Sequence, residues 1–247
     1  MKLGFLAAAV VLMSSGNVRA DVLGVTAGVE MWQADPSLTL GDTGFSQLLN
    51  AEDQSSTAFY VAFEHPLPLL PNIALRRQQL DFTGITPLAA PVQIGGTSFA
   101  KDEVLNNQFA LEYNDATLYY ELLDNDLARL DVGVTARFVS ADIDAVSGAK
   151  NARAELSVPL PMLYWNASVS VLGTAASVFF AGNYVSYSDN SFYDAKAGLA
   201  YELIDAKIIS LSVKLGVQKM DLEVIDQDDI DAMVQVDGAF LALEADF

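Results

Sequence analysis

The chain has 247 residues, with 32 acidic against 13 basic side chains, a formal charge of −19 and no cysteine. That balance excludes a nucleic-acid partner, because phosphate binding needs clustered Lys and Arg. The missing cysteines exclude a disulfide scaffold, a thiolate metal centre, a cysteine nucleophile and lipid attachment at a leader cysteine.

The first element is a processing segment over residues 1–20. Lys2 gives a positive start, Leu3 to Met13 is apolar, and Ser14, Ser15, Gly16 and Asn17 break the run. Val18-Arg19-Ala20 places modest side chains where a signal peptidase reads, so cleavage is expected before Asp21. The apolar run is too short to span ~30 Å of hydrocarbon as a helix. Cleavage would remove Lys2 and Arg19 and leave residues 21–247 more acidic still, in an extracytoplasmic compartment.

No segment of the remainder reads as a spanning helix. The longest uncharged stretch, Leu156 to Ser188, is interrupted by Pro159 and Pro161. Yet 52% of the chain is hydrophobic. Period-two alternation dominates from Val25 onward: Val25, Ala27, Val29 and Met31 oppose Thr26, Gly28, Glu30 and Trp32. The pattern recurs, and predicts strands near 22–33, 56–65, 72–83, 107–123, 127–139, 150–158, 175–187, 191–203, 206–219 and 234–247. Two places stay open. A strand over 164–172 is an alternative to 175–187, and the adjacent Arg76 and Arg77 require either an outward arginine near a rim or a bulge.

Connector length separates a closed barrel from a soluble sandwich. Short turns (Pro66–Asn72, Asp124–Asp126, Ile204–Ala206) alternate with long loops (Ala34–Ser56, Gly84–Asn106, Ser140–Ala149, Met220–Met233). This is the layout of a transmembrane antiparallel barrel. The expected fold is therefore all-β, one closed barrel of about ten strands, with eight or twelve open. Aromatic residues near strand ends (Trp32, Tyr113, Tyr119, Tyr120, Tyr164, Trp165, Tyr184, Tyr187, Phe192, Tyr193) are read as interfacial girdles.

Several stretches also resemble a family of outer-membrane β-barrel proteins of Gram-negative bacteria. They are the leader, the first strand, the rim turn Glu64-His65-Pro66-Leu67-Pro68-Leu69-Leu70-Pro71-Asn72, the segment Leu118 to Asn125, and the terminal Phe247. The resemblance covers the whole chain after the leader. It implies the barrel fold and an outer-membrane location, and makes Phe247 a signal for the barrel-assembly machinery. It brings no catalytic residues.

If the apolar face meets lipid, the other face supplies the lumen charges. These are Glu30, Glu64, Glu121, Asp131, Glu155, Asp194, Glu202 and Glu244 against Arg76, Arg137, Arg153, Lys196 and Lys214. At the width of ten strands such charges are expected to pair and block the lumen, giving a structural or interaction role. A narrow channel for small cationic solutes is the alternative, and a membrane-embedded hydrolase a distant one. The sole histidine, His65, lies beside Glu64 in a short turn, where a solvated turn residue is expected rather than a base. The acidic run Asp226, Asp228, Asp229 and Asp231 offers oxygen ligands for a divalent cation, but lacks the glycine and distal glutamate of an EF-hand loop. It is expected to be a solvated loop. No cofactor is expected. The expected partners are membrane lipid and lipopolysaccharide, with divalent cations as bridges.

Overall fold

In lipid every backbone donor and acceptor must be paired within the protein, so alternating strands persist there only as a closed ring. The computed structural model describes residues 23–247 apart from 68, 189, 207, 208, 228 and 229. The leader expected over 1–20 lies outside the described residues. Ten antiparallel strands form the wall: β1 (Gly24–Asp42), β3 (Gln54–Glu64), β4 (Asn72–Pro87), β7 (Val104–Asp124), β8 (Ala128–Ser147), β9 (Lys150–Ser170), β10 (Ala176–Tyr187), β11 (Asn190–Ala206), β12 (Ile209–Gln227) and β13 (Ile230–Asp246). Three short strands are added. β2 (Gln47–Leu49) pairs with β1, while β5 (Val92–Ile94) and β6 (Thr97–Phe99) make a separate hairpin. Successive wall strands pair in order, and β1 closes on β13 from Thr26↔Asp246 to Asp42↔Ile230. Val25 and Phe247 exchange backbone hydrogen bonds of 3.2 and 2.9 Å at the seam. Gly24 and Phe247 thus share one end, the terminal rim, with the ends of β3, β7, β9 and β11 and the starts of β4, β8, β10 and β12. The opposite end is distal.

All ten expected strands are present, but most run further than the sequence pattern suggested. β9 was expected to stop at Val158 and instead continues through Pro159 and Pro161 to Ser170, absorbing the alternative strand near 164–172. The two prolines are tolerated because β10 pairs with β9 only between Ser170 and Leu163. Beyond that point β9 has a free flank, where a missing N–H costs no ladder bond. Arg76 and Arg77 need no bulge: Arg76 points inward and Arg77 outward to Glu112, 2.9 Å away. The expected long loops are largely strand. Ser140–Ala149 is the end of β8 and a tight turn with Gly148 at φ +58°. Gly84–Asn106 contains the β5–β6 hairpin, turned by Gly95 and Gly96 at φ +52° and +75°. Two successive positive φ values suit a two-residue hairpin turn and favour glycine.

The outer surface changes character along each strand. On β8 the outward residues Leu130, Val132, Val134, Ala136 and Phe138 are apolar, and the next ones, Ser140, Asp142 and Asp144, are polar. β12 switches from Val217 to Lys219 and β13 from Ala239 to Asp237. About nine residues at ~3.3 Å rise and ~40° tilt make an apolar belt ~23 Å tall next to the terminal rim, close to a barrel's hydrocarbon band.

The interior changes the other way at about the same level. Its distal half is a dry core including Leu38, Leu40, Leu80, Phe82, Leu105 and Leu111, all fully buried or nearly so. The hairpin closes this half from within by adding Val92, Ile94 and Phe99. Asp42 accepts hydrogen bonds from the amides of Gly95 (3.0 Å) and Gly96 (2.9 Å) at its tip. Lys150 holds its far side through the Ser98 carbonyl (3.1 Å) and Glu103 (2.6 Å), and this contact keeps the Glu103 carboxyl below the usual carboxylate range.

Candidate functional site

Below the dry core, register places charged side chains of neighbouring strands abreast. Arg76 on β4 faces Asp115 on β7, which faces Arg137 on β8. Arg137 is 1% exposed and donates through Nε and Nη2 to both Asp115 oxygens, each at 2.7 Å. Its third nitrogen, Nη1, pairs across the lumen with Asp194 of β11 at 2.6 Å. The guanidinium carbon lies 4.1 Å from the Tyr113 ring centre and 4.8 Å from that of Phe192. Such a cation is held by charge, hydrogen bonds and aromatic faces together. Glu30 of β1, also 1% exposed, binds Arg76 at 2.5 Å and Lys196 of β11 at 2.9 Å. Both groups tie opposite walls together, as charges removed from water must be tied.

Between this layer and the terminal rim lies a cavity of about 530 Å³. Its lining reaches the rim residues Leu23, Ile209 and Phe247, so it opens there. Glu244 accepts from Lys214 at 2.6 Å and from the Tyr60 hydroxyl at 2.9 Å. Thr117, Thr135 and Asn183 form a chain of 2.8 Å hydrogen bonds on the wall. Nearer the mouth, Glu64 accepts from Tyr119 at 3.0 Å and lies 3.7 Å from Arg129. Asn166 donates to Asp131 at 2.8 Å.

Neither a family model nor a curated protein matches the chain. Among solved structures it is similar to the outer membrane protease OmpT from Escherichia coli, with a TM-score of 0.53 and 10% identity over 93% of this chain and 97% of that one. The transport unit of the autotransporter AIDA-I from Escherichia coli aligns at a TM-score of 0.41 and 7% identity, over 94% of this chain and 92% of that one. A FadL homologue of Pseudomonas aeruginosa gives 0.30 and 11%, over 92% and 90%. The chain has the outer-membrane β-barrel fold. At such identity the likeness to OmpT is one of fold alone.

Within this outer-membrane barrel the expected lumen charges fall into four groups. Glu30, Arg76, Arg137, Asp194, Lys196, Lys214 and Glu244 meet in the ion pairs above, and Glu64 and Asp131 line the mouth. Glu121 and Glu202 share the inward parity but sit at the rim, where Glu121 is exposed and Glu202 half-buried. Arg153 and Glu155 are corrections, because both project outward from the distal half of β9. There Arg153 is 55% exposed and binds Glu155 (2.6 Å) and Asp142 (3.0 Å). The apolar partners of that alternation, Ala152 to Val158, face the dry core rather than lipid.

The girdle reading is also corrected. Trp32, Tyr113, Tyr119, Tyr164 and Phe192 face inward, while Tyr120, Trp165, Tyr184 and Tyr193 face outward. Trp165 lies over Gly182 of the neighbouring strand, where an added Cβ would come within 2.7 Å of the indole. His65 spends both ring nitrogens on its own turn, at the Pro71 carbonyl (3.2 Å) and the Leu67 amide (3.3 Å). Its neighbour Glu64 is turned into the cavity.

Of the acidic run, Asp228 and Asp229 lie outside the described residues, and the Asp226 side chain is likewise not described. Asp231 accepts from the Gly44 amide at 3.1 Å. Among the described residues no three acidic or histidine side chains are grouped to hold a metal.

Sequence reasoning missed Asp115, Arg129, Tyr60, Asn166 and Asn183. Asp115 and Arg129 carried a usable signal: each shares the odd parity of its strand's inward residues. Tyr60, Asn166 and Asn183 share the inward parity too, but carry no charge to single them out.

Proposed function

We propose that this chain is an integral outer-membrane protein whose lumen is closed, serving a structural or interaction role rather than conduction. The apolar belt supports membrane insertion, since an exposed ring of this extent has no place in water. Short turns at the terminal rim support an orientation with that rim in the periplasm and the distal end outside the cell. The single observation that carries the closed lumen is the column above the cavity. Arg137 is locked between two acids and two rings, and beneath the hairpin the distal half is filled with leucine and phenylalanine. An ion crossing it would shed its hydration against apolar walls, which is prohibitive.

Lipid is the partner for the belt. Lipopolysaccharide, bridged by divalent cations, is the partner proposed for the acidic distal surface. Phe247 faces outward and is 60% exposed, in reach of the assembly machinery that the resemblance implies. Purified protein in a planar bilayer is expected to show no discrete current steps, and cation-selective steps would remove the closed-lumen reading. One observation favours that second reading, a passage for cationic solutes. The cavity lining carries more carboxylates than cations.

A further inference from the structure

We propose that the cavity is a binding site for a small organic ammonium ion, with Asp131 as its anionic anchor. This rests on the reading that the cavity is a dead end entered from the terminal rim. The other carboxylates deeper in the cavity are accounted for. Glu30 is taken by Arg76 and Lys196, Glu244 by Lys214, and Asp115 and Asp194 by Arg137. At the mouth Glu64 faces Arg129, and Asp246 accepts from the hydroxyls of Thr26 (2.5 Å) and Ser210 (3.2 Å).

Asp131 differs. It is 2% exposed, its Oδ2 takes one amide hydrogen bond from Asn166, and its Oδ1 is buried without a donor. Arg129, two residues away on the same strand face, turns instead to Glu64 and Asp124. A buried carboxylate oxygen left unpaired is costly, and a ligand carrying N–H donors and positive charge removes that cost.

The surroundings select an organic cation. One step deeper on β8, Gly133 stands between Tyr119 of β7 and Tyr164 of β9. With no side chain between them the two rings meet, their centres 5.8 Å apart and their planes tilted by 53°. An added Cβ at Gly133 would come within 2.7 Å of the Tyr119 Cβ. A carboxylate with two tyrosine rings on the neighbouring strands beside it suits an alkylammonium ion. The cavity, about 530 Å³, is of small-molecule size. A bare metal ion is held by several oxygen ligands at once, and no three His, Cys, Asp or Glu side chains are grouped to hold one among the described residues. Seating the ligand requires a rotamer change at the mouth, which the partly exposed Arg129 can make.

Calorimetric titration of 1,4-diaminobutane into the purified, detergent-solubilised barrel tests this. Saturable one-to-one binding is expected, weakened at least tenfold in Asp131→Asn and unchanged in Glu155→Gln. Tyr164→Leu, which keeps the carboxylate, should weaken binding several-fold and serves if Asp131→Asn does not fold. Equal affinity in either pocket variant, or binding of Mg²⁺ but not the diamine, overturns the proposal. Bilayer recording separates the two readings. Current steps with Asp131-dependent binding retained would sink the closed lumen alone, and silence without binding would sink the ammonium site alone.

Discussion

On β8, Val134 and Phe138 face outward while Asp131, Thr135 and Arg137 face inward. A few residues further, Asp142 and Asp144 face outward while Val139, Ala141 and Ile143 face inward. The strand keeps its alternation throughout, and only the medium on each side changes. The terminal half is built as a membrane barrel, apolar outside and polar inside. The distal half is built as a water-soluble one, with a packed core and a charged skin. One fold thereby holds two kinds of interior, and they differ in what holds them. Ion pairs across the lumen tie the terminal half together, and apolar burial tightens the distal half.

The two interiors should fail differently. The largest effect is expected at their junction. Arg137→Met leaves Asp115 and Asp194 buried without their cation and should cost about 3–5 kcal/mol, read by urea unfolding of the refolded protein. An unchanged midpoint would deny the junction its role. Phe82→Ala, in the distal core, should cost about 3–5 kcal/mol through the cavity it leaves, and a much smaller loss would mean the distal core is loosely packed. Leu199→Arg, outward in the belt, should cost about 2–4 kcal/mol. Gln79→Arg, outward in the distal half, should change stability by less than about 0.5 kcal/mol. Equal losses at the two positions would erase the outer boundary between the halves. The smallest effect is expected for Arg153→Gln on the distal skin, where no measurable shift should appear because the pair is solvated.

The same contrast explains what could be read in advance. Apart from β9, the strands were legible because their terminal halves alternate cleanly, and the barrel followed from their connectors. Strand ends were not legible, because the change of medium puts apolar side chains on both faces for a step. Phe138-Val139 breaks the alternation although the backbone continues. At Val158-Pro159 a proline coincides with the change, and the second half of β9 was lost with it. Arg153 and Glu155 were misplaced for the same reason. Their apolar neighbours looked lipid-facing, and only the fold shows that a second interior receives them. Most of the lumen charges followed correct parity, but which acid met which base depended on contacts across the barrel. Glu30 and Lys196, 166 residues apart, have no local signature.

The absence of cysteine allows a direct test of the two-medium wall. Single cysteines at Val134 and Asp142, on the same outward face of β8, would be challenged with a membrane-impermeant thiol reagent in lipid vesicles. Reaction at 142 with protection at 134 is the predicted result. Equal labelling of both would contradict the account.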